Sequence, residues 1–437
     1  MATSSAKSGA HGGTAPELGV ELLHLSSVIG RPLVDGAGDR LGRVRDLIVR
    51  VGTSPHPPVV GLVVRIGGRD LFVPVAKIAA LRPGRAEFEG ERVDLRRFER
   101  RPGELLLARD LMARHLINFV GGRLIRANEI ELARIDRTWE VVGVDPSSRP
   151  VLRRLLPGRM GERVAPGSLV DWASIEPFVA HVPSARLHIP YRKLARLHPA
   201  QIADLVEAAS HEEGEEIIEA VGHDRELEAD VFEELDTNHQ LEFIHSRSDA
   251  DVARILASMA PDAAADLIAE VDQERRLPLL NQIPEPQRRK VRSLLSYNPE
   301  TAGGLMSPDF LALPETVTAG EALSAIHVSK APPEALNVVF VTDAGGSVVG
   351  SASAVNLIQA EPAQPLSSLV RPNVAHLHAD WDLGATVRKM SDYNLTVAPV
   401  MDHDHHTVLG VVTVDDVISS LLPSGWRRDF GITAAED

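Results

Sequence analysis

The sequence predicts a multidomain α+β protein with two small β-barrels, an α-superhelical domain and a closing pair of β-α-β units. Three observations lead there. The chain has 437 residues, too many for one hydrophobic core. Its apolar period changes near Leu197 from that of strands to that of helices. After Pro308 one order of apolar runs, strand, helix, strand, strand, occurs twice.

Charge divides the chain as well. Residues 1 to 195 carry 30 Lys and Arg against 21 Asp and Glu, a net of +9, and residues 196 to 437 carry 16 against 40, a net of −24. A basic front half suits an acidic partner or the chain's own back half, and an acidic back half suits cations; a merely soluble surface is the plainer reading. The chain has no cysteine, which excludes disulfides and thiolate metal sites and fits a reducing cytosol. No run approaches the roughly 18 to 20 apolar residues of a membrane helix, so the chain is expected not to span a membrane. Residues 1–22, rich in Ala, Ser, Gly and Thr and lacking an apolar signal core, are expected to be a disordered tail.

From Leu23 to Leu107 short β-branched runs alternate with glycine turns: Ile29 to Val34, Leu41 to Val49, Val59 to Ile66, then Leu71 to Val75 after Gly67 and Gly68. That pattern predicts a small barrel over 23–108. Gly38-Asp-Arg-Leu-Gly-Arg-Val-Arg-Asp-Leu-Ile-Val49 aligns with Gly121-Gly-Arg-Leu-Ile-Arg-Ala-Asn-Glu-Ile-Glu-Leu132, so a second copy with a connector is expected over 109–195. The connector holds a helix candidate at Val151 to Leu156 and the run Leu169 to Glu176. Both copies resemble the PRC-barrel family of interaction modules, which implies a partner-binding role. Arginines 40, 43, 45, 96, 97, 100 and 101 form a candidate basic face, but aromatic residues are scarce, so an acidic protein surface rather than nucleic acid is the expected partner.

Residues 196–298 read as stacked short helices. Leu205 to Ser210, Val231 to Asp236, Ile255 to Ala260 and Leu267 to Asp272 share apolar first, second and fifth places before a break. Tyr297-Asn-Pro-Glu-Thr-Ala-Gly-Gly-Leu-Met-Ser-Pro308 then reads as a hinge, since Pro299 disfavours helix before it and Gly303-Gly304 opens backbone angles closed to other residues. In 299–423, strands at Phe310 to Leu313, Val338 to Val341 and Val348 to Ser353 enclose a helix at Ala319 to Val328. The order returns as Val374 to Leu377, helix Leu383 to Tyr393, Ala398 to Met401 and Leu409 to Thr413, with 424–437 as a tail. The helical stretch and the Thr301-Ala-Gly-Gly-Leu-Met306 run resemble the cytosolic part of the MgtE magnesium channels. The β-α-β units resemble the CBS pair that follows it there.

Asp262 and Asp266 stand four apart at a helix start, which puts both carboxylates on one face. Magnesium keeps much of its water and is often held through one or two carboxylates; helix capping by Asp262 is the alternative. The MgtE resemblance implies that Asp262, Asp266 and Asp416 serve regulatory Mg2+ sites, although Ser419 stands where the family tends to place a further acid. The CBS resemblance implies adenine-nucleotide contacts, ATP among the candidates, at Ser353 and Asn356 of Gly350-Ser-Ala-Ser-Ala-Val-Asn356. It implies the same at Gly410, Thr413 and Asp416 of Gly410-Val-Val-Thr-Val-Asp-Asp416. Asp402-His-Asp-His-His406 reads as a polar hairpin, with zinc or nickel as the rival reading. No catalytic constellation is recognisable, and the protein is not expected to be an enzyme.

The expected function is magnesium sensing, with Mg2+ bridging the helical and CBS domains. An adenine-nucleotide-sensing adaptor is the alternative. The family's pore is expected to be absent from this chain, which ends at Asp437. The expected partners are therefore a second copy, paired through the CBS domains, and a separately encoded membrane channel. A cytoplasmic place follows, at the inner face of the membrane where such a channel is bound.

Overall fold

The computed structural model describes residues 21–51, 54–90, 97–150, 169–178, 189–372, 375–404 and 407–422. Residues 1–20 and 424–437 of the expected tails, the Val151 to Leu156 helix, Arg96 and Val374 lie outside these residues, whereas Leu22, assigned to the tail, begins a strand. The chain divides into two units, residues 1–197 with 208–220 and residues 198–207 with 221–437.

The first unit is built on strands. In chain order they are β1 (Leu22–His24), β2 (Pro32–Val34), β3 (Arg40–Arg50), β4 (Val59–Ile66), β5 (Arg69–Pro74), β6 (Ile78–Arg82) and β7 (Arg85–Phe88). There follow β8 (Glu104–Leu106), β9 (His115–Asn118), β10 (Arg123–Arg126), β11 (Glu129–Ile135), β12 (Thr138–Asp145), β13 (Val170–Asp171) and β14 (Ile175–Pro177), then the one-turn helix α1 (Tyr191–Leu194). A seven-stranded sheet runs β5-β4-β3-β2-β7-β6 with β8 on β3, a four-stranded sheet runs β1-β11-β12-β13, and a three-stranded one runs β10-β9-β14.

No closed barrel forms among the described residues, because β5 and β6 end the large sheet without pairing to each other. The sequence copies also diverge: in the first, Arg40 to Arg50 form one long strand, whereas the counterpart breaks at Ala127 and Asn128 into β10 and β11. They are interlocked besides. β1 pairs with β11 in antiparallel register, Leu23 opposite Leu132. Leu47, Leu62 and Leu105 share one buried cluster with Ile130, Trp139 and Trp172. Asp46 organises the seam at the end of β8, where its carboxylate accepts the backbone N–H groups of Leu47, Ala108 and Arg109. Burial nevertheless pushes it up to about 6.

The second unit opens with α2 (Pro199–Ala208), while the next helix, α3 (His211–Val221), belongs almost wholly to the first. Six more follow: α4 (Arg225–Glu234), α5 (Thr237–His245), α6 (Asp249–Ser258), α7 (Pro261–Glu270), α8 (Gln273–Gln282) and α9 (Gln287–Leu294). The four segments singled out in the sequence mark the ends of α2, α4, α6 and α7. Their breaks after the first have one cause: Leu235, Met259 and Val271 adopt extended backbone after the last turn and are at most 4% exposed. An apolar side chain turned into the core ends each helix where no glycine does.

The joint is not the free hinge that its glycines predict. Ala302–Leu305 is a helical turn, α10, and neither Gly303 nor Gly304 has positive φ. Both glycines are there for closeness: a Cβ on Gly303 would lie 2.8 Å from the Ala379 carbonyl oxygen, and one on Gly304 2.4 Å from that of Asn298. Ala302 and Gly303 donate backbone hydrogen bonds to Trp381 and Ala379, and Ser307 exchanges a pair with Val411. The joint is thereby sewn to the second β-α-β unit.

The first β-α-β unit comprises β15 (Leu311–Pro314), α11 (Ala319–Val328), β16 (Val338–Thr342), β17 (Val348–Ser353) and α12 (Ala354–Gln359). The second comprises β18 (Leu377–His378), α13 (Leu383–Asp392), β19 (Val397–Met401), β20 (Val408–Thr413) and α14 (Val414–Leu421). Each sheet has a parallel pair followed by an antiparallel one. Gly350 and Gly410 occupy equivalent places, each pressed against passing backbone, Arg371 and Ser307 respectively.

The joint makes a direct prediction. Gly304→Ala must displace backbone and should cost about 1 to 3 kcal/mol in denaturant unfolding. Gly384→Ala in α13, whose nearest neighbour would be a side-chain oxygen at 3.5 Å, should be neutral or stabilising. Equal effects at the two positions would refute the packing role.

Candidate cation site and nucleotide cleft

Asp262 is the second residue of α7, whose N-cap is Ala260, so Asp262 is not the cap. Its Oδ1 is buried and accepts no hydrogen bond. Burial is the largest influence on its acidity and repulsion by Asp416 the next, with smaller repulsions from Glu233 and Asp266; together they push it up to about 7. Only its own backbone N–H acts the other way. An α7 aspartate of the helical domain thus lies within the repulsive field of an α14 aspartate of the second β-α-β unit.

Asp416 is held by its cap. Its Oδ2 accepts the Thr413 backbone N–H at 2.7 Å and the Thr413 hydroxyl at 2.8 Å, while the Thr413 hydroxyl accepts the Asp416 N–H. Burial still raises its pKa, and Asp415 and Glu334 add repulsion. Asp266 lies one turn beyond Asp262. As a residue it is exposed, yet lost hydration around the carboxylate, followed by Glu270, pushes it up to about 6. Asp266 thus flanks the pair formed by Asp262 and Asp416.

Two further acids went unnoticed in the sequence. Glu233 of α4 accepts the Ala260 N–H at 2.6 Å and so fixes the start of α7. Its pKa is raised by burial and then by Asp230 and Glu234. Glu334 reaches Asp416 through space from the segment before β16. Neither has a motif, and in so acidic a stretch nothing in the string distinguishes them.

The residues expected to meet a nucleotide are dispersed. A cleft of about 260 Å³ opens between the β-α-β units, lined among others by Ser351, Ser353, Arg371, Tyr393, Thr396 and Val397. Ser353 lies in it and also caps α12, accepting the N–H of Asn356. Gly410, Thr413 and Asp416 do not line it. Gly410 packs against Met306 and Ser307, and the other two form the α14 cap. In the hairpin from Asp402, the Asp402 carboxylate accepts the Thr407 N–H at 3.1 Å and His403 and Asp404 are exposed, while His405 and His406 lie outside the described residues. Of the arginines in the first unit, Arg100 pairs with Asp110 at 2.8 Å and Arg101 stacks 5.4 Å over Phe72, so both are tied within the fold.

Comparison with known proteins gives this geometry a setting. Residues 197–300 match the model of the MgtE intracellular N domain, and residues 366–423 that of the CBS domain. The magnesium transporter MgtE of Thermus thermophilus is 30% identical over 196 residues, 44% of this chain and 43% of that protein. The Bacillus subtilis magnesium transporter MgtE is 25% identical over 193 residues, again 43% of its length. The chain therefore spans less than half of these relatives. A crystal structure of the cytosolic domain of the Mg2+ channel MgtE in complex with ATP superposes with a TM-score of 0.50 at 27% identity, covering 53% of this chain and 93% of that one. No helix among the described residues is long and apolar enough to cross a membrane. The back half of the chain is an MgtE intracellular N domain followed by a CBS domain pair.

Proposed function

We propose that the chain is a regulatory magnesium sensor in which Mg2+ bridges Asp262 of the helical domain and Asp416 of the CBS pair. One observation carries the reading: a buried carboxylate oxygen without a hydrogen bond, set against a second carboxylate on another domain. A divalent cation with part of its hydration shell intact turns that repulsion into attraction and satisfies the orphan oxygen. Asp266 and Glu233 surround the ion with further negative charge. The relatives' names, magnesium transporters, favour magnesium as the cation. In this reading the front unit conveys the state to a partner, such as a membrane channel at the inner face of the membrane, and the CBS pairs join two copies.

Separation of the domains has to work around the sewn joint. It breaks the Lys290 to Asp309 ion pair, which ties α9 to the segment before β15. The state without magnesium is therefore expected to open on the helical side of Tyr297.

Small-angle X-ray scattering across a magnesium series, matched in ionic strength with sodium chloride, tests the reading. The radius should fall with magnesium in the wild type and not in Asp262→Asn or Asp416→Asn. Compaction that persists in both variants would sink it. Acidity supplies a second check. Asp262 has a folded-state value above its unfolded one, so the stability of its neutral form is present at low pH and lost as pH rises from about 4 through about 7. Metal-free wild type should lose stability over that window relative to Asp262→Asn, and millimolar magnesium should restore it at pH 8.

Adenine-nucleotide sensing is a second reading, favoured by the cleft at Ser353 and Arg371, where a cation and hydroxyls suit phosphate and ribose. Calorimetry with ATP, ADP and AMP should detect binding that Arg371→Ala weakens about tenfold, the scale of one charge-assisted hydrogen bond. Binding that ignores this substitution would place the nucleotide elsewhere.

A further inference from the structure

Away from these acids, three side chains of mixed chemistry converge. Glu207 lies in the last turn of α2, Asp236 is the N-cap of α5 and His239 is the third residue of that helix. Each offers one ligand atom, and the three atoms all lie within 4.8 Å of one another in half-buried positions. The contacts are specific. Glu207 Oε1 accepts the Asp236 backbone N–H at 2.8 Å, and Asp236 Oδ1 lies 2.9 Å from His239 Nδ1 while accepting the His239 N–H at 3.0 Å.

Helix capping accounts for part of this. An N-cap needs one oxygen, and Asp236 provides it. It does not require an imidazole to return to that same oxygen, nor a second carboxylate from another helix to approach both.

We infer that Glu207, Asp236 and His239 form a second cation site, selective for a first-row transition-metal dication of the zinc class rather than magnesium. The donor set is the reason: magnesium prefers oxygen alone, whereas an imidazole with two carboxylates suits Zn2+, Co2+ or Ni2+. Three protein ligands leave a fourth position for water, the arrangement of an open zinc site. The ion takes the place of the hydrogen bond between Asp236 and His239, with the neutral imidazole carrying its N–H on Nε2 and offering Nδ1 to the metal. The site joins α2 to α5 and stands whether or not magnesium is sensed at Asp262.

The test is calorimetric titration of the full chain with zinc chloride in the presence of excess magnesium chloride, which fills the oxygen-only sites. Four proteins are compared: wild type, His239→Gln, Glu207→Gln, and a hairpin variant with His403, His405 and His406 each changed to Ala. One equivalent of zinc should bind the wild type and the hairpin variant. Affinity should fall about 10- to 100-fold in His239→Gln and in Glu207→Gln, with helix content by circular dichroism unchanged. Should either variant fail to fold, Asp236→Asn, which keeps a cap acceptor but loses the charge, takes its place with the same expected loss. No zinc bound by the wild type, binding unchanged in the three site variants, or loss confined to the hairpin variant would each overturn the assignment.

Discussion

The arrangement of the back half depends on a lack of room at three glycines. Gly303, Gly304 and Gly410 each lie where a single methyl group would strike backbone or a packed side chain. Their close approach lets Ala302, Gly303 and Ser307 hydrogen-bond to the second CBS unit. Without those bonds, the polypeptide between α9 and β15 would be a loose strap. With them, it becomes an edge of the CBS fold, and α14 is fixed relative to the strand that carries the end of the joint. Gly410 is required at the start of the Gly-Val-Val-Thr run for this steric reason, whatever ligand the run meets.

On that frame the electrostatics are deliberately unfavourable. Burial and the neighbouring acids push Asp262 up to about 7, so its ionised form is disfavoured where it stands. The half-buried pair of Lys290 with Asp309 is a single contact, and ion pairs near the surface contribute only about 0 to 1 kcal/mol, so it does not offset that cost. Replacing the acid with an apolar residue would relieve the strain, as it commonly does for buried charge. In the proposed sensor a cation bound there would convert the same geometry into a gain, and its removal would favour separation of the two domains.

The helical and CBS architecture was legible because its signals are local. The period of three to four residues showed where helices run, and the CBS helix Ala319–Val328 and strand Val348–Ser353 have the bounds the pattern implied. The front half was less legible. Barrel closure depends on which distant strands pair, and no local pattern says that β1 will join β11 or that β10 and β11 will separate at Ala127. The helix ends at Leu235, Met259 and Val271 were visible as breaks, but their cause, an apolar residue turned inward, requires the neighbouring helices. Gly303-Gly304 was read as conformational freedom when it supplies closeness, since a string of letters does not distinguish the two uses of glycine. At the site, spacing brought out Asp262 and Asp266 but could not show that Asp416 has the larger electrostatic effect on Asp262. Glu207, Asp236 and His239 were invisible for the same reason, being assembled from two helices nearly thirty residues apart.

Asp416 also bears on how the two proposed ligands relate. In the sequence it belongs to both, as a magnesium ligand and as the acid that closes a nucleotide motif. Its Oδ2 is already occupied by Thr413, so it has one oxygen to offer. Its surroundings are acidic, with Asp415, Glu334 and Asp262 all acting on it or acted on by it. A triphosphate brought to that oxygen would add like charge to a region that already carries a net −24 over residues 196 to 437. The same triphosphate in the cleft meets Arg371 and the hydroxyls of Ser351 and Ser353 instead. Charge would therefore sort the two proposed ligands by place, magnesium to the aspartates and nucleotide to the cleft. Both places are held by β17, β20 and the backbone that crosses them at Arg371 and Ser307. Nucleotide binding would then act on magnesium affinity through this shared backbone rather than by competing for Asp416. A coupling of that kind is reciprocal, so magnesium must alter nucleotide affinity by the same factor.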